Sequence, residues 1–183
     1  MDFLHSEYVT NRNIRLAREH ETRQELTADL FEEWRVLGVV NGIADQAVAD
    51  YHGVNRTDAR CLDIIERLGG VTAGRLARES GLSTGAVTTV LDRLERAGLA
   101  RRTSDPNDRR RVLVEMTPAA REANEELYRP LVEAATEQLL HYSEEELALL
   151  RAYHRASRAL TEAHAERVRG LLSERAQERE AAS

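Results

Sequence analysis

The chain has 183 residues and a formal net charge of −6, with 42% hydrophobic, 32% charged and 4% aromatic residues. This length suits one domain with extensions, and the composition is typical of a helix-rich globular protein with an aliphatic core, which excludes a disordered chain. One cysteine, Cys61, excludes an intramolecular disulfide and a CxxC metal or redox motif.

The N-terminal part predicts an extension and one long helix. Residues 1–21 are charged with only a weak helical pattern, so a short helix, an arm or partial disorder are all compatible with them. Residues 22–54 are predicted to be an N-terminal dimerisation helix, because a broad apolar surface suggests packing against both a lobe and a second subunit. Its main stripe contains Leu26, Leu30, Trp34, Leu37, Ala44, Val48 and Tyr51.

Residues 55–117 carry the local signals of a helix-turn-helix lobe. Asn55 is a candidate N-cap for a supporting helix, and Thr72 and Ser83 are candidate N-caps for two short helices that follow. Gly81 and Gly98 stand where these two helices must end. Two helices joined by a short turn containing glycine are the signature of a helix-turn-helix, whose second member is the recognition helix.

The outer face of this second helix has small, hydroxylated side chains. Hydroxyls, threonine methyls and an arginine fork are useful against base edges in the major groove, and glycine permits a close approach. An ordinary solvated helix face can have the same composition, so the elements that follow in the chain must decide between a DNA-binding face and a solvated one. The candidate DNA-binding residues on this helix are Ser83, Thr84, Gly85, Thr88, Thr89 and Arg93.

A β-hairpin is predicted directly after the helix, with strands at residues 99–103 and 111–116. Arg109, Arg110 and Arg111 lie at its tip, and a guanidinium there can enter a narrow minor groove or bind phosphate. Asp105 or Asp108 could hold an arginine in a bidentate pair. A hairpin in this position is a wing.

The charge distribution removes the objection that an acidic protein is a poor DNA binder. Residues 83–111 contain seven arginines and four acidic residues, a local charge of +3, so the remainder carries −9. Such asymmetry lets a basic edge meet phosphates while an acidic body limits non-specific binding.

Residues 118–172 are predicted to be C-terminal dimerisation helices. Pro118 opens a helix to about Leu140 that Pro130 should kink or interrupt. Ser143 and Glu146 form a capping box for a last helix reaching Leu172, whose two apolar stripes imply contacts on two sides. Packing within one chain is the alternative. The tail, residues 173–183, is expected to be frayed.

The segments GLSTGAVTTVLDRLERAGLARR and DPNDRRRVLVEMTPAA resemble the MarR (multiple antibiotic resistance regulator) family of winged helix-turn-helix transcription factors. The resemblance implies a homodimer with intertwined terminal helices, two winged lobes on a pseudo-palindromic operator, and often a small-molecule pocket. The expected fold is therefore mainly α with a small β-hairpin wing, in a lobe flanked by long dimerisation helices.

The sequence gives little support for catalysis, metal binding or redox sensing. No catalytic motif is present, so neither an enzyme nor a cofactor is expected. The histidines lack metal-ligand spacing, and Cys61 on an apolar helix face favours a structural thiol over a redox sensor, which leaves its redox activity open. Candidate ligand-binding residues are Trp34, Asn41, Tyr51, His52 and Arg60, although core packing is the stronger explanation for Trp34.

The leading hypothesis is a sequence-specific, DNA-binding transcriptional regulator, a homodimeric repressor released by a small anionic or aromatic effector. The alternative is a winged-helix protein-interaction module without specific DNA binding. No apolar run suits a signal peptide or a membrane span, so we expect a cytoplasmic protein with double-stranded DNA as partner and no membrane partner.

Overall fold

The computed structural model describes residues 22–181, so the predicted extension 1–21 lies outside the described residues. Eight elements follow one another in this range. They are α1 (Arg23–Tyr51), α2 (Arg56–Leu68), α3 (Ala73–Ser80), α4 (Thr84–Arg96), β1 (Ala100–Ser104), β2 (Val112–Met116), α5 (Pro118–Leu139) and α6 (Glu144–Ala181). The mainly helical fold with one antiparallel hairpin is therefore confirmed.

The chain divides after Pro130 into two compact units, of which residues 22–130 and 131–181 are described. The first unit holds the hydrophobic core, made by α2, α3, α4 and the base of the hairpin. Its largest fully buried side chains include Ile65, Leu76, Leu91, Leu94 and Val114. The four on helices are apolar positions that recur every three or four residues, as the periodicity predicts, and Val114 lies on strand β2.

Local capping explains where the lobe helices begin. The backbone amides of Asp58, Arg75 and Ala86 donate to the side chains of Asn55, Thr72 and Ser83, at 3.0, 3.3 and 3.2 Å. Each cap satisfies a backbone amide that has no partner inside its helix. Gly98 follows α4 with a φ of 71°, a left-handed conformation that favours glycine. The predicted boundaries of the helix-turn-helix are thus confirmed.

The hairpin pairs Ala100 with Met116 at its base and Ser104 with Val112 near its tip. Val71 adds an antiparallel bridge on the other side of β2, because it exchanges two backbone hydrogen bonds with Val114, at 3.0 and 2.8 Å. Val71, Val114 and Met116 are buried. The base of the wing is therefore part of the lobe core.

The first turns of α5 also pack on the lobe. Ala120 is buried in the core, and the Thr117 hydroxyl donates to the Gly98 carbonyl at 2.8 Å. The amide of Asn124 donates to the Glu66 carboxylate at 2.6 Å. These contacts orient the start of α5 against the end of α2 and the turn that follows α4.

The structure corrects two expectations about the C-terminal helices. Of the two predicted effects of Pro130, a kink or an interruption, the interruption does not occur, because helix α5 continues through this exposed proline at the cost of one backbone hydrogen bond. The last helix does not end at Leu172, because α6 extends to Ala181. Its final turns are rich in Glu, Arg, Ala and Gln, which favour helix even without an apolar stripe. Within the described residues, every helix is too short or too polar to cross a membrane.

Candidate DNA-binding interface

The N-terminal half of α4 presents a surface of exposed small side chains. Ser83, Thr84, Gly85, Thr88 and Thr89 are all exposed, and a Cβ built on Gly85 would meet no atom within 4 Å. The hydroxyls of Thr88 and Thr89 donate to helix carbonyls four residues earlier, at 3.1 and 3.2 Å. Their oxygens remain available as acceptors, so this surface can approach a polar partner closely.

Arg93, predicted as a DNA contact, is engaged inside the lobe. Its Nε and Nη2 donate to the two carboxylate oxygens of Asp58 at 2.7 and 2.6 Å, and Asp58 is 1% exposed. Asn55 donates to the same carboxylate at 2.9 Å. The hydrogen bond to Asp58 is the main cause that raises the pKa of Arg93. This bidentate pair joins the recognition helix α4 to the first turn of α2.

The wing tip exposes two arginines without ion-pair partners. In the described part of the chain, Arg109 and Arg110 form no ion pair, whereas Arg111 lies 3.8 Å from Asp105. Asp105 also accepts a hydrogen bond from the backbone amide of Asn107 at 2.8 Å, and Asp108 accepts one from the backbone amide of Arg110 at 3.0 Å. The anticipated bidentate pair at the tip is therefore replaced by turns that leave Arg109 and Arg110 facing solvent.

The other arginines of the basic edge are mostly neutralised. Arg101 contacts Glu115 across the hairpin at 3.4 Å, and Arg102 contacts both Asp92 and Glu95 on α4. Among the seven arginines counted in residues 83–111, only Arg96, Arg109 and Arg110 make no ion pair with any described residue. The sequence does not reveal these pairings, since it cannot tell which opposite charges meet.

Comparisons with known proteins decide the family. Residues 54–112 match the MarR family model. The uncharacterized HTH-type transcriptional regulator YcgE of Bacillus subtilis is 38% identical over 148 residues, which cover 81% of this chain and 96% of YcgE. The chain belongs to the MarR family.

Further relatives agree with this assignment of the MarR family. The multiple antibiotic resistance protein MarR of Salmonella typhimurium is 34% identical over 99 residues, covering 50% of this chain and 69% of that protein. A crystal structure of Streptococcus pneumoniae FabT in complex with DNA has a TM-score of 0.53 and 23% identity, and the match covers 74% of this chain and 97% of FabT. The likeness to FabT supports the winged-helix fold, and the relatives are transcriptional regulators.

This MarR family member also has a cavity of about 620 Å³ beside α2. Residues of α1, α2, α3 and α5 line it, including Asp45, Arg56, Arg60, Asp63 and Tyr128. The volume lies within the range of about 300–1,000 Å³ that is usual for small-molecule sites. Two arginines and two aspartates give the wall both signs of charge.

The structure brings together only part of the predicted ligand set. Arg60 lines the large cavity, and His52 lines a smaller one of about 30 Å³ that shares Asp63 and Tyr128 with it. Trp34, Asn41 and Tyr51 line neither cavity; all three are exposed on α1.

Two titratable groups at the cavity are held in their neutral forms. Cys61 is fully buried, and burial, with a smaller effect of the Asp58 charge, raises the pKa of its thiol. Burial together with Asp63, Asp45 and Glu66 raises the pKa of the Tyr128 phenol. A protonated thiol is a poor nucleophile, which agrees with a structural Cys61. No cluster of three potential metal ligands occurs among residues 22–181.

Proposed function

We propose that this MarR family member is a homodimeric repressor that binds a pseudo-palindromic operator and is released by a small-molecule effector. One observation supports DNA binding above all. The exposed N-terminal half of α4 and the unpaired wing arginines belong to one lobe, with the base of the hairpin packed directly after the recognition helix. In the cell we expect it in the cytoplasm, where its DNA is, with neither catalysis nor a cofactor.

Each residue of the interface has a proposed role. Ser83, Thr84, Thr88 and Thr89 face base edges in the major groove, and Gly85 permits close approach of the backbone. Arg109 and Arg110 enter or flank the minor groove, and Arg111 follows them from the start of the outgoing strand. Arg93 holds α4 against α2 through Asp58, so any phosphate contact would come from its remaining nitrogen. Two lobes would read half-sites about 34–36 Å apart.

Helix α1 supports the proposed dimer. Large apolar side chains are exposed along its whole length, including Leu30, Phe31, Trp34, Val39, Val40 and Ile43, each at least 50% exposed. Soluble monomers rarely expose so continuous an apolar surface, so a second copy of the chain is its expected partner. Helix α6 likewise exposes large apolar side chains, such as Leu149 and Leu160, and by the same argument we expect a second copy of the chain to cover them.

Light scattering tests the dimer. The parent chain should have twice the monomer mass at micromolar concentration, and Phe31→Glu with Ile43→Glu should lower that mass, because a buried charge without a partner is costly. Gln24→Glu adds a charge to the polar start of the same helix and serves as control. A monomeric parent, or a Phe31→Glu/Ile43→Glu variant that stays dimeric, would contradict the proposal.

The cavity beside α2 is the proposed effector site. Arg60 and Arg56 would bind an anionic group, and Tyr128 would contact an aromatic ring. Benzoate and benzyl alcohol serve as anionic and neutral probes. Benzoate should raise the melting temperature more than benzyl alcohol does, and Arg60→Gln should remove the difference; equal shifts for both probes would argue against an anion site.

A gel-shift titration with DNA from upstream of the protein's own gene tests DNA binding. The parent should bind this fragment in the presence of excess unrelated DNA, and changing Thr84 and Thr88 to Ala should abolish the preference while leaving non-specific binding intact. Equal affinity for both DNAs, or none for either, would favour the protein-interaction module instead.

A further inference from the structure

Arg102 connects the wing to the recognition helix through three contacts. Its guanidinium donates to Asp92 Oδ1 at 2.9 Å and to Glu95 Oε2, and its backbone amide donates to Glu95 Oε1 at 3.0 Å. The hydrogen bond to Asp92 is the main cause that raises the pKa of Arg102. One residue of β1 thus holds two carboxylates of α4, which are seven and ten positions earlier in the sequence.

Asp92 and Glu95 lie on the stripe of α4 that begins with the proposed base-reading residues. Thr84, Thr88 and Asp92 are spaced by four residues, and Glu95 follows after three, so these side chains share one face of the helix. A DNA-facing stripe with two unpaired carboxylates would repel phosphates. Arg102 lies over this end of the stripe, binds both carboxylates and compensates one of their two negative charges.

Arg101 provides the contrast on the same strand. Its guanidinium contacts Glu115, which is its cross-strand partner in β2, so this pair remains within the hairpin. Removing Arg101 takes away one positive charge from the wing but no contact with α4. The two neighbouring arginines therefore differ in what they connect, not in their charge.

We propose that Arg102 is a positioning residue, which fixes the wing relative to the recognition helix through Asp92 and Glu95 and does not itself contact DNA. This inference rests on the proposed DNA binding. The angle between wing and helix decides whether Arg109 and Arg110 reach the flanking minor groove while α4 lies in the major groove. A wing held only at its base would have to be ordered on binding, and that ordering lowers affinity.

Glu95→Ala gives the sharpest test, because two explanations predict opposite signs. Removing a carboxylate beside DNA should strengthen binding if charge alone matters. If Arg102 needs Glu95 to position the wing, the variant should bind its operator about three- to tenfold more weakly, the loss expected for a partly exposed ion-pair network. Stronger operator binding by Glu95→Ala would overturn the proposal.

The double variant Glu95→Ala/Arg102→Ala leaves the net charge unchanged. We expect its operator affinity to fall by at least the factor seen for Glu95→Ala alone, because the contact between Arg102 and Asp92 is lost as well, and its salt dependence to match the parent. If Arg102 instead contacts phosphate, the slope of log K against log salt should decrease by about 0.9 per lobe. Arg101→Ala, the matched control, should change the affinity by less than about twofold.

Hydrogen exchange tests the positioning without DNA, so its outcome is independent of the proposed function. The Arg102 amide should exchange faster in Glu95→Ala and the other amides of residues 100–104 faster in Arg102→Ala, whereas Arg101→Ala should leave them unchanged. Unchanged amide exchange in both Glu95→Ala and Arg102→Ala would overturn the inference even if the parent binds DNA. If the two variants exchange faster but the parent binds no DNA, the positioning role of Arg102 is supported and the proposed function is rejected instead.

Discussion

The two unpaired arginines of the wing tip make a quantitative prediction about salt dependence. Neither Arg109 nor Arg110 forms an ion pair with any residue of the described range 22–181, so each can neutralise a DNA phosphate without first breaking a salt bridge. A dimer brings four such charges, and at about 0.9 counterions per charge the slope of log K against log salt should fall by about 3.6 in Arg109→Gln/Arg110→Gln. Between 50 and 200 mM salt, parent affinity should therefore drop about 150-fold more than variant affinity.

Fluorescence anisotropy with a labelled operator fragment measures this slope over a series of salt concentrations. Arg101→Gln is the control, because that residue is already paired with Glu115 and should change the slope little. Thermal unfolding should be the same for all three proteins, since the tip lies outside the core. A slope in the double variant equal to that of the parent would refute the assignment of Arg109 and Arg110 to the phosphates.

Four further predictions concern the lobe and the last helix. Asp58→Asn should lower the free energy of unfolding by about 2 kcal/mol, because it removes the charge from a buried bidentate pair, and denaturant titration measures the loss. Gly98→Ala should destabilise by about 1 kcal/mol because its φ is 71°, while Gly170→Ala, in α6 with open space around it, should stabilise by about 0.5–1 kcal/mol. Cys61 should react with iodoacetamide at pH 7.5 far more slowly in the native protein than in urea, because its raised pKa keeps the thiol protonated.

Each of these has a clear contrary outcome. An Asp58→Asn variant as stable as the parent would mean that the pair with Arg93 adds nothing beyond what a neutral hydrogen bond supplies. A neutral Gly98→Ala would contradict the left-handed turn after α4, and a Gly170→Ala variant no more stable than the parent would contradict the open space around Gly170. Equal alkylation rates of Cys61 in both states would mean that the thiol is accessible and ionised, which would reopen the possibility of a redox sensor.

Local chemistry made much of the lobe predictable. Thr72 and Ser83 cap their helices as expected, because a hydroxyl in front of a helix satisfies an amide a few residues away. The hairpin strands begin and end within one residue of the prediction, since alternating apolar residues flank a loop rich in turn formers. These signals act over a few residues, so a sequence displays them directly.

Long-range pairing could not be predicted in the same way. Arg93 meets Asp58 over 35 residues, and only the packing of α2 against α4 brings them together. The local charge of +3 counts every arginine of residues 83–111 equally. In the structure, four of these seven arginines form ion pairs with described residues. The apolar stripe predicts an end of α6 at Leu172, but the loss of the stripe marks only where packing stops, and the helix itself continues to Ala181.

The bridge between Val71 and Val114 also has a consequence for how such wings diversify. The base of the hairpin is hydrogen-bonded on both sides of β2, whereas residues 106–110 are exposed. Extra residues inserted at that exposed tip would lengthen the hairpin without disturbing buried backbone, as loop tips generally tolerate. A one-residue insertion next to Val114 would instead move the β2 side chains on one side of it to the opposite face. Variation in the reach of the wing, and with it in operator length, is therefore expected to arise at the tip alone.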